Sequence, residues 1–188
     1  MRVFIAFTFV IVLNTVAIGQ GPVAGQNLES LSDPDAYRIY ATLLPQLWAT
    51  RSKDALLLQQ ETETVFPCDS SSRISDPEWL AVANRFRQEN SRPKVLQAIL
   101  QIPGQFRLIP KAVIEADDAR LKLKYPGTFN RLPESIEYAA VSAVGFNSNK
   151  TKAMVHVRLR SGGDLHLLER RGDDWIHSTL SGGCAWIV

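Results

Sequence analysis

Three histidines in the last quarter of the chain carry the side chain best suited to acid–base chemistry near neutral pH. They are His156, His166 and His177, and acidic residues that include Asp164 and Glu169 lie among them in the sequence. An even number of unpaired residues in the turn would place His156 and His166 on opposite faces of a hairpin, with His156 across from Glu169, whereas an odd number would place them on one face. The simpler interpretation is that all are solvent-facing strand residues. If the chain is an enzyme, its candidate catalytic residues are His156, His166, Glu169 and Asp164.

A second chemical pattern is Gly183-Cys184-Ala185-Trp186, in which a thiol precedes a tryptophan. A cysteine nucleophile usually gains its low pKa at the N-terminus of a helix, beside an imidazole. Only four residues follow Cys184, too few for such a helix. We therefore expect Cys184 to be structural.

Paired carboxylates are the third pattern, because Glu61 and Glu63 lie on one side of a predicted strand and could act as general acid and base. The same alternation is typical of a solvated strand face. The sequence has no phosphate loop, dinucleotide fingerprint, HExxH or GxSxG motif. No acids or thiols complete a metal site around the histidines. We expect no metal and no cofactor, and no motif requires a particular reaction.

The first residues have the layout of a secretory signal peptide. Arg2 precedes an uncharged, mostly apolar run that ends at Gly19. Small residues before Gln20 favour cleavage there, with a second site before Gln26; an uncleaved anchor is the alternative. The sequence thus predicts a leader at 1–19, a flexible N-terminus at 20–31 and one domain at 32–188, exported to the periplasm or the cell exterior.

Charge and cysteine content fit this location. The leader contains one of the 21 basic residues and none of the 19 acidic ones, so the rest is nearly neutral. Nearly balanced, dispersed charge predicts no nucleic-acid partner, and removal of the leader leaves no membrane span. Cys68 and Cys184 would meet an oxidising compartment and are expected to form a disulfide. Two buried free thiols are the alternative.

Helix signals dominate the first two thirds of the domain. Asp33-Pro34 and Asp76-Pro77 each combine a capping side chain with a proline that the first turn accepts. Pro45 predicts a kink or restart in the first helix. A third helix is predicted from about Asp117 to Tyr125, and strands are predicted at 55–65 and, with Pro110 at an edge or bulge, at 105–115.

From Glu137 onward, four extended runs alternate with turn residues, which predicts an antiparallel meander. Helices first and a meander last predict an α+β fold, with the N-terminal helices packed on one face of the C-terminal sheet. Val155, Val157 and Leu159 would face the helices, since side chains alternate along a strand.

Several short motifs resemble a pattern found in small exported bacterial proteins of unknown function. The matching segments are Tyr125-Pro-Gly, Ser142-Ala-Val-Gly-Phe-Asn147, Thr151-Lys-Ala-Met-Val155, Leu167-Leu-Glu-Arg170 and Gly172 to Trp175. The resemblance implies export and a helix-plus-curved-sheet shape similar to the cystatin-like or NTF2-like folds, and it assigns no catalytic or ligand-binding residue. The chain departs from the pattern after Arg160, where its turn lacks paired cysteines.

Two functional hypotheses remain. The favoured one is a non-catalytic binding or interaction module that holds a small ligand or another envelope protein in the concavity between helices and sheet. The alternative is a small hydrolase-like or isomerase-like enzyme with a histidine/acid site in that concavity. A pocket with at least two convergent titratable side chains would favour the enzyme, and an apolar or absent pocket would exclude it.

Overall fold

The computed structural model describes residues 28–48, 55–64, 76–98, 106–126, 135–160, 162–179 and 185–187. Its helices are α1 (Pro34–Trp48), α2 (Pro77–Glu89) and α3 (Lys111–Lys124). Its strands are β1 (Glu29–Ser30), β2 (Leu56–Gln59), β3 (Lys94–Val95), β4 (Phe106–Ile109), β5 (Ala139–Val141), β6 (Gly145–Phe146), β7 (Lys152–Leu159), β8 (Gly162–Arg171), β9 (Asp174–His177) and β10 (Ala185–Ile187). The leader, Cys68 and Cys184 lie outside the described residues.

An eight-stranded mixed sheet forms the centre of the fold. Its main path runs β10-β8-β7-β5-β2-β4, while β6 pairs with β7 and β9 pairs with β8. β2 is parallel to β4 and β5, and the other pairs are antiparallel. The predicted α+β class is confirmed, with β7, β8 and β9 forming the C-terminal meander. β1 and β3 form a separate parallel pair.

Both faces of the sheet are covered by helices. Val155 and Val157 of β7 belong to the main core with α1, whereas Met154 packs with Trp79 and Phe86 of α2. Because consecutive side chains of a strand point to opposite faces, α1 and α2 lie on opposite sides, which we call the α1 face and the α2 face. The predicted alternation along β7 is confirmed.

The position of α3 shows which face of the sheet the third helix covers. Its Ile114 clusters with Ala140, and Ala140 pairs with Arg158, which shares the parity of Met154 in β7. α3 therefore lies on the α2 face. The prediction placed all helices on one face, but Met154 and Leu167 are apolar on the face opposite Val155, so both faces need cover.

The two predicted helix starts are confirmed. The Asp76 carboxylate accepts hydrogen bonds from the amides of Glu78 and Trp79, at 2.8 and 3.3 Å. Asp33 accepts one from the amide of Asp35, at 3.0 Å. α1 does not restart at Pro45 but continues to Trp48.

The region around Pro110 differs from the prediction. The strand predicted at 105–115 ends at Ile109, and α3 begins at Lys111, six residues before the predicted helix start. Pro110 has φ −60° and occupies the N-cap position, where it needs no amide hydrogen bond. Proline therefore separates the two elements here. No helix among the described residues is long and apolar enough to span a membrane.

Residues before Ser32, the first residue of the predicted domain, already belong to the fold. Glu29 and Ser30 pair with β3, and Leu31 is buried, with its amide bonded to the carbonyl of Val95 at 2.9 Å. The predicted flexible N-terminus therefore does not extend to residue 31, because Leu31 anchors the chain in the main core.

Candidate functional site

The connection between β7 and β8 decides how the predicted catalytic residues are arranged. Leu159 pairs with Gly162, so two residues remain unpaired. This even number places His156 and His166 on opposite faces of the sheet, as the even case predicted. His156 points to the α2 face and His166 to the α1 face.

The even case was also predicted to place His156 across from Glu169, and this part of the prediction was wrong. His156 lies across from Leu165 and not from Glu169, which is opposite Lys152. Gly162 and Gly163 belong to β8, and the pairing therefore begins at Gly162. Glu169 instead accepts a hydrogen bond from the Ser178 hydroxyl at 2.8 Å.

His156 is a core residue, with 1% of its surface exposed. Burial, helped by the charge of Arg158 and by His166, lowers its pKa to about 4. His156 is therefore uncharged at neutral pH and inaccessible to a substrate.

His166 lies beside His177, with ring centroids 5.3 Å apart. No described residue forms a hydrogen bond with the buried Nε2 of His166. Burial and then His177 lower the pKa of His166 to about 4, although Asp164 opposes the shift. The four candidate residues do not converge, because His166 and Asp164 share the α1 face while His156 and Glu169 share the other. Within the described ranges, no three histidine, cysteine or acidic side chains are grouped to hold a metal ion.

The paired carboxylates have structural partners. Glu61 accepts a hydrogen bond from the amide of Lys111 at 2.8 Å, at the start of α3, where negative charge is stabilising. Glu63 forms an ion pair with Arg158 at 2.5 Å. Glu61 therefore connects the segment after β2 to α3, and Glu63 connects the same segment to β7.

Buried His156 predicts a specific pH dependence of stability. Its folded pKa of about 4 lies below its ordinary value of 6.5, so its contribution is complete above pH 6.5 and is lost as the pH falls through this interval to 4. We expect wild type to lose up to about 3 kcal/mol through this residue, and His156→Met to lose correspondingly less. Chemical denaturation near pH 7 and near pH 4.5 checks this. Equal losses in both proteins would contradict the assignment.

A groove lies beside β6, which pairs with β7 on one edge and with no described strand on the other. α2 forms one wall, β1 and the start of α1 form another, and β6 with the turn at 147–150 forms the third. The groove encloses about 630 Å³, within the usual range for ligand sites. We call it the β6 groove.

The floor of the β6 groove is apolar. Leu31, Ala36 and Val144 line it and are buried, and the Phe146 ring is half-buried. The Phe146 ring also lies 5.7 Å from the ring of Trp175, which fixes it against the main core. A ligand in the groove would therefore contact a preformed apolar surface.

Charged side chains form the rim, and those described here are paired. Glu89 bonds to Arg85 at 3.0 Å and to Lys94 at 2.6 Å. Lys150 bonds to Asp33 at 2.9 Å, and this hydrogen bond raises the pKa of its ammonium group. Lys150 thus remains a cation and cannot serve as a base.

Two residues position β6 against α2. Gly145 faces α2 so closely that an added Cβ would overlap the backbone of Phe86. Asn90, 4% exposed at the end of α2, exchanges hydrogen bonds with both the amide and the carbonyl of Ala143. Its side-chain amide thereby takes the place of a neighbouring strand.

Sequence reasoning missed this groove, and it contains none of the candidate catalytic residues. Its lining comes from segments that begin near residues 29, 78 and 144, and only the fold brings them together. Asn147 was a usable signal, because its Oδ1 accepts the amides of Thr151 and Lys152 and fixes the turn beside the groove.

In comparisons with known proteins, no family model, curated protein or solved structure matches the chain.

Proposed function

We propose that this chain is an exported, non-catalytic binding module that holds a segment of another polypeptide in the β6 groove. The observation that carries the proposal is the groove itself, with its apolar floor and charged rim beside a strand edge. Such a combination is suited to an extended chain, whose side chains alternate between an apolar surface and solvent.

The groove chemistry favours binding over catalysis. Glu89 is neutralised by two cations, and Lys150 is held protonated by Asp33. The groove does contain convergent titratable side chains, a feature that was predicted to favour an enzyme. However, its lining includes no histidine or cysteine among the described residues, and the groove serines have no imidazole beside them. Ion pairs of this kind fix the shape of a rim and supply no general base.

The proposal places the module outside the cytoplasm. Its support is the leader at 1–19, with one charge followed by an apolar run and small residues before Gln20. The partner would then be another exported or envelope protein, and Cys68 and Cys184 would be free to form a disulfide.

Selection of random dodecapeptides displayed on phage tests the proposal. The bait is protein recovered from an exporting host, whose intact mass reports where the leader was removed. We expect peptides that bind wild type but lose at least about tenfold in affinity for Ala81→Trp, because the indole would fill the groove from the exposed surface of α2.

The matched control is Ala119→Trp, which changes the same residue type at an exposed position of α3, away from the groove. It should bind the selected peptides like wild type. A library that yields no peptide sensitive to Ala81→Trp, or only peptides equally sensitive to Ala119→Trp, would overturn the proposed function.

A further inference from the structure

The backbone of Phe146 is directed away from β7. Asn147 donates its amide to the carbonyl of Lys152 at 3.1 Å, and Gly145 pairs with Met154. In an antiparallel pair, alternate residues direct both N–H and C=O toward the partner strand. Phe146, between two such residues, therefore directs its N–H and C=O to the opposite edge of β6. No strand within the described part of the chain pairs with that edge.

This open edge is short and lies in the β6 groove. On one side it ends at Ala143, whose amide and carbonyl bond to Asn90 at 2.7 and 2.9 Å. On the other it ends at the turn that begins with Asn147. Val144, Phe146 and Asn147 all line the groove, so this edge of β6 lies beside the space that a ligand would occupy.

The charge of the groove limits what can bind. Four acidic and three basic side chains line it, whereas the chain as a whole has a formal charge of +2. The acidic residues are Glu29, Asp33, Glu78 and Glu89. Glu29 and Glu78 are mostly exposed, with 77% and 64% of their side-chain surface accessible; Lys94 lies 4.0 Å from Glu29, and Lys152 lies 2.5 Å from Glu78. The exposed carboxylates of Glu29 and Glu78, although each lies near a lysine, remain open to a positively charged ligand.

We propose that the β6 groove binds an extended, positively charged peptide segment, which adds as a strand to the edge of β6 through the backbone N–H and C=O of Phe146. This inference rests on the proposed function and specifies its partner and geometry. Main-chain hydrogen bonds to Phe146 fix the register, while side chains on one side of the peptide contact the apolar floor and those on the other face the acidic rim.

Amide hydrogen exchange tests the strand geometry directly. The probe is the dodecapeptide with the highest affinity from the phage selection. Its binding is expected to slow exchange of the Phe146 amide at least about tenfold, because this amide gains a hydrogen bond. The Gly145 amide, which faces β7, is the internal control and should change little. The selected peptides should also be enriched in lysine and arginine, and Glu29→Gln combined with Glu78→Gln should weaken their binding.

N-methylation of the peptide, one amide at a time, provides the second test. Methylation of the amide opposite Phe146 should weaken binding by about tenfold, and methylation of the next amide, which points away, should not. If the peptide binds in a manner sensitive to Ala81→Trp but leaves Phe146 exchange unchanged and tolerates every methylation, strand addition is wrong while the proposed function stands. If the selected peptides are not basic, the charge assignment is wrong. If no groove-dependent peptide is found, both proposals are wrong.

Discussion

Replacing Asn90 with alanine is expected to lower the free energy of unfolding by about 4 kcal/mol. The side chain donates to the carbonyls of Phe86 and Ala143, at 2.8 and 2.9 Å, and accepts the amide of Ala143 at 2.7 Å. Alanine would remove all three bonds and leave buried backbone groups of Ala143 without partners, which costs more than the bonds themselves contribute. Urea or guanidinium unfolding measures the change.

Asn84→Ala is the matched control for this experiment. Asn84 lies on the same helix but is exposed, and its Oδ1 accepts a hydrogen bond from Arg87 at 2.9 Å. Exposed substitutions of this kind usually change stability by no more than about 0.5 kcal/mol. A loss at Asn90 no greater than that at Asn84 would mean that the Ala143 edge is stabilised by something other than this side chain.

Gly145→Ala is expected to cost about 3 kcal/mol, because overpacking a rigid contact forces the backbone to move. An added Cβ would overlap the Cα, Cβ and backbone nitrogen of Phe86, none of which can rotate away. α2 would have to move outward from β6 and Met154, so the groove wall should move as well. Denaturant unfolding gives the energy, and amide exchange along α2 reports the displacement.

Gly172→Ala separates crowding from backbone strain. Gly172 has φ +64° and no atom within 4 Å of an added Cβ, so alanine there meets strain but no overlap. Its expected cost is about 1 kcal/mol. If Gly145→Ala cost no more than Gly172→Ala, then α2 would be free to move away from β6, and its close approach would not be a fixed feature of the fold.

The segment Ser142-Ala-Val-Gly-Phe-Asn147 has a structural explanation in this chain. The Ser142 hydroxyl accepts the amide of His156 at 2.8 Å, and its carbonyl accepts the Tyr40 hydroxyl at 2.7 Å. Gly145 allows α2 to approach, and Asn147 fixes the turn to β7. The motif therefore builds and positions β6, the strand on which the proposed binding depends, and it supplies no reactive group.

Local signals predicted much of the fold, because helix starts at Asp76 and turns such as the one at Asn147 are determined by neighbouring residues. Long-range pairings were not predictable in the same way. Asn90 and Ala143 are 53 residues apart, and nothing in the sequence near either one indicates the other. The groove depends on such pairings, since α2 and β6 form it only after the sheet has assembled.

The register of the histidine hairpin shows the same limit at shorter range. Ser161-Gly-Gly allows several turn lengths, and a change of one residue would move His166 to the other face. For an even turn, the predicted catalytic set assumed a register in which Glu169 lies opposite His156. The residue opposite His156 is in fact Leu165, four residues earlier in the chain.

The narrow opening beside Phe146 has a consequence for how copies of this protein behave in a crowded compartment. Long, flat strand edges invite molecules to stack into fibres. Here α2 and the start of α1 both line the groove beside Phe146, so we expect them to hinder the approach of a flat sheet from another molecule. We expect a single extended peptide, which is narrower than a sheet, to reach this edge, so that β6 can bind a strand without stacking into fibres.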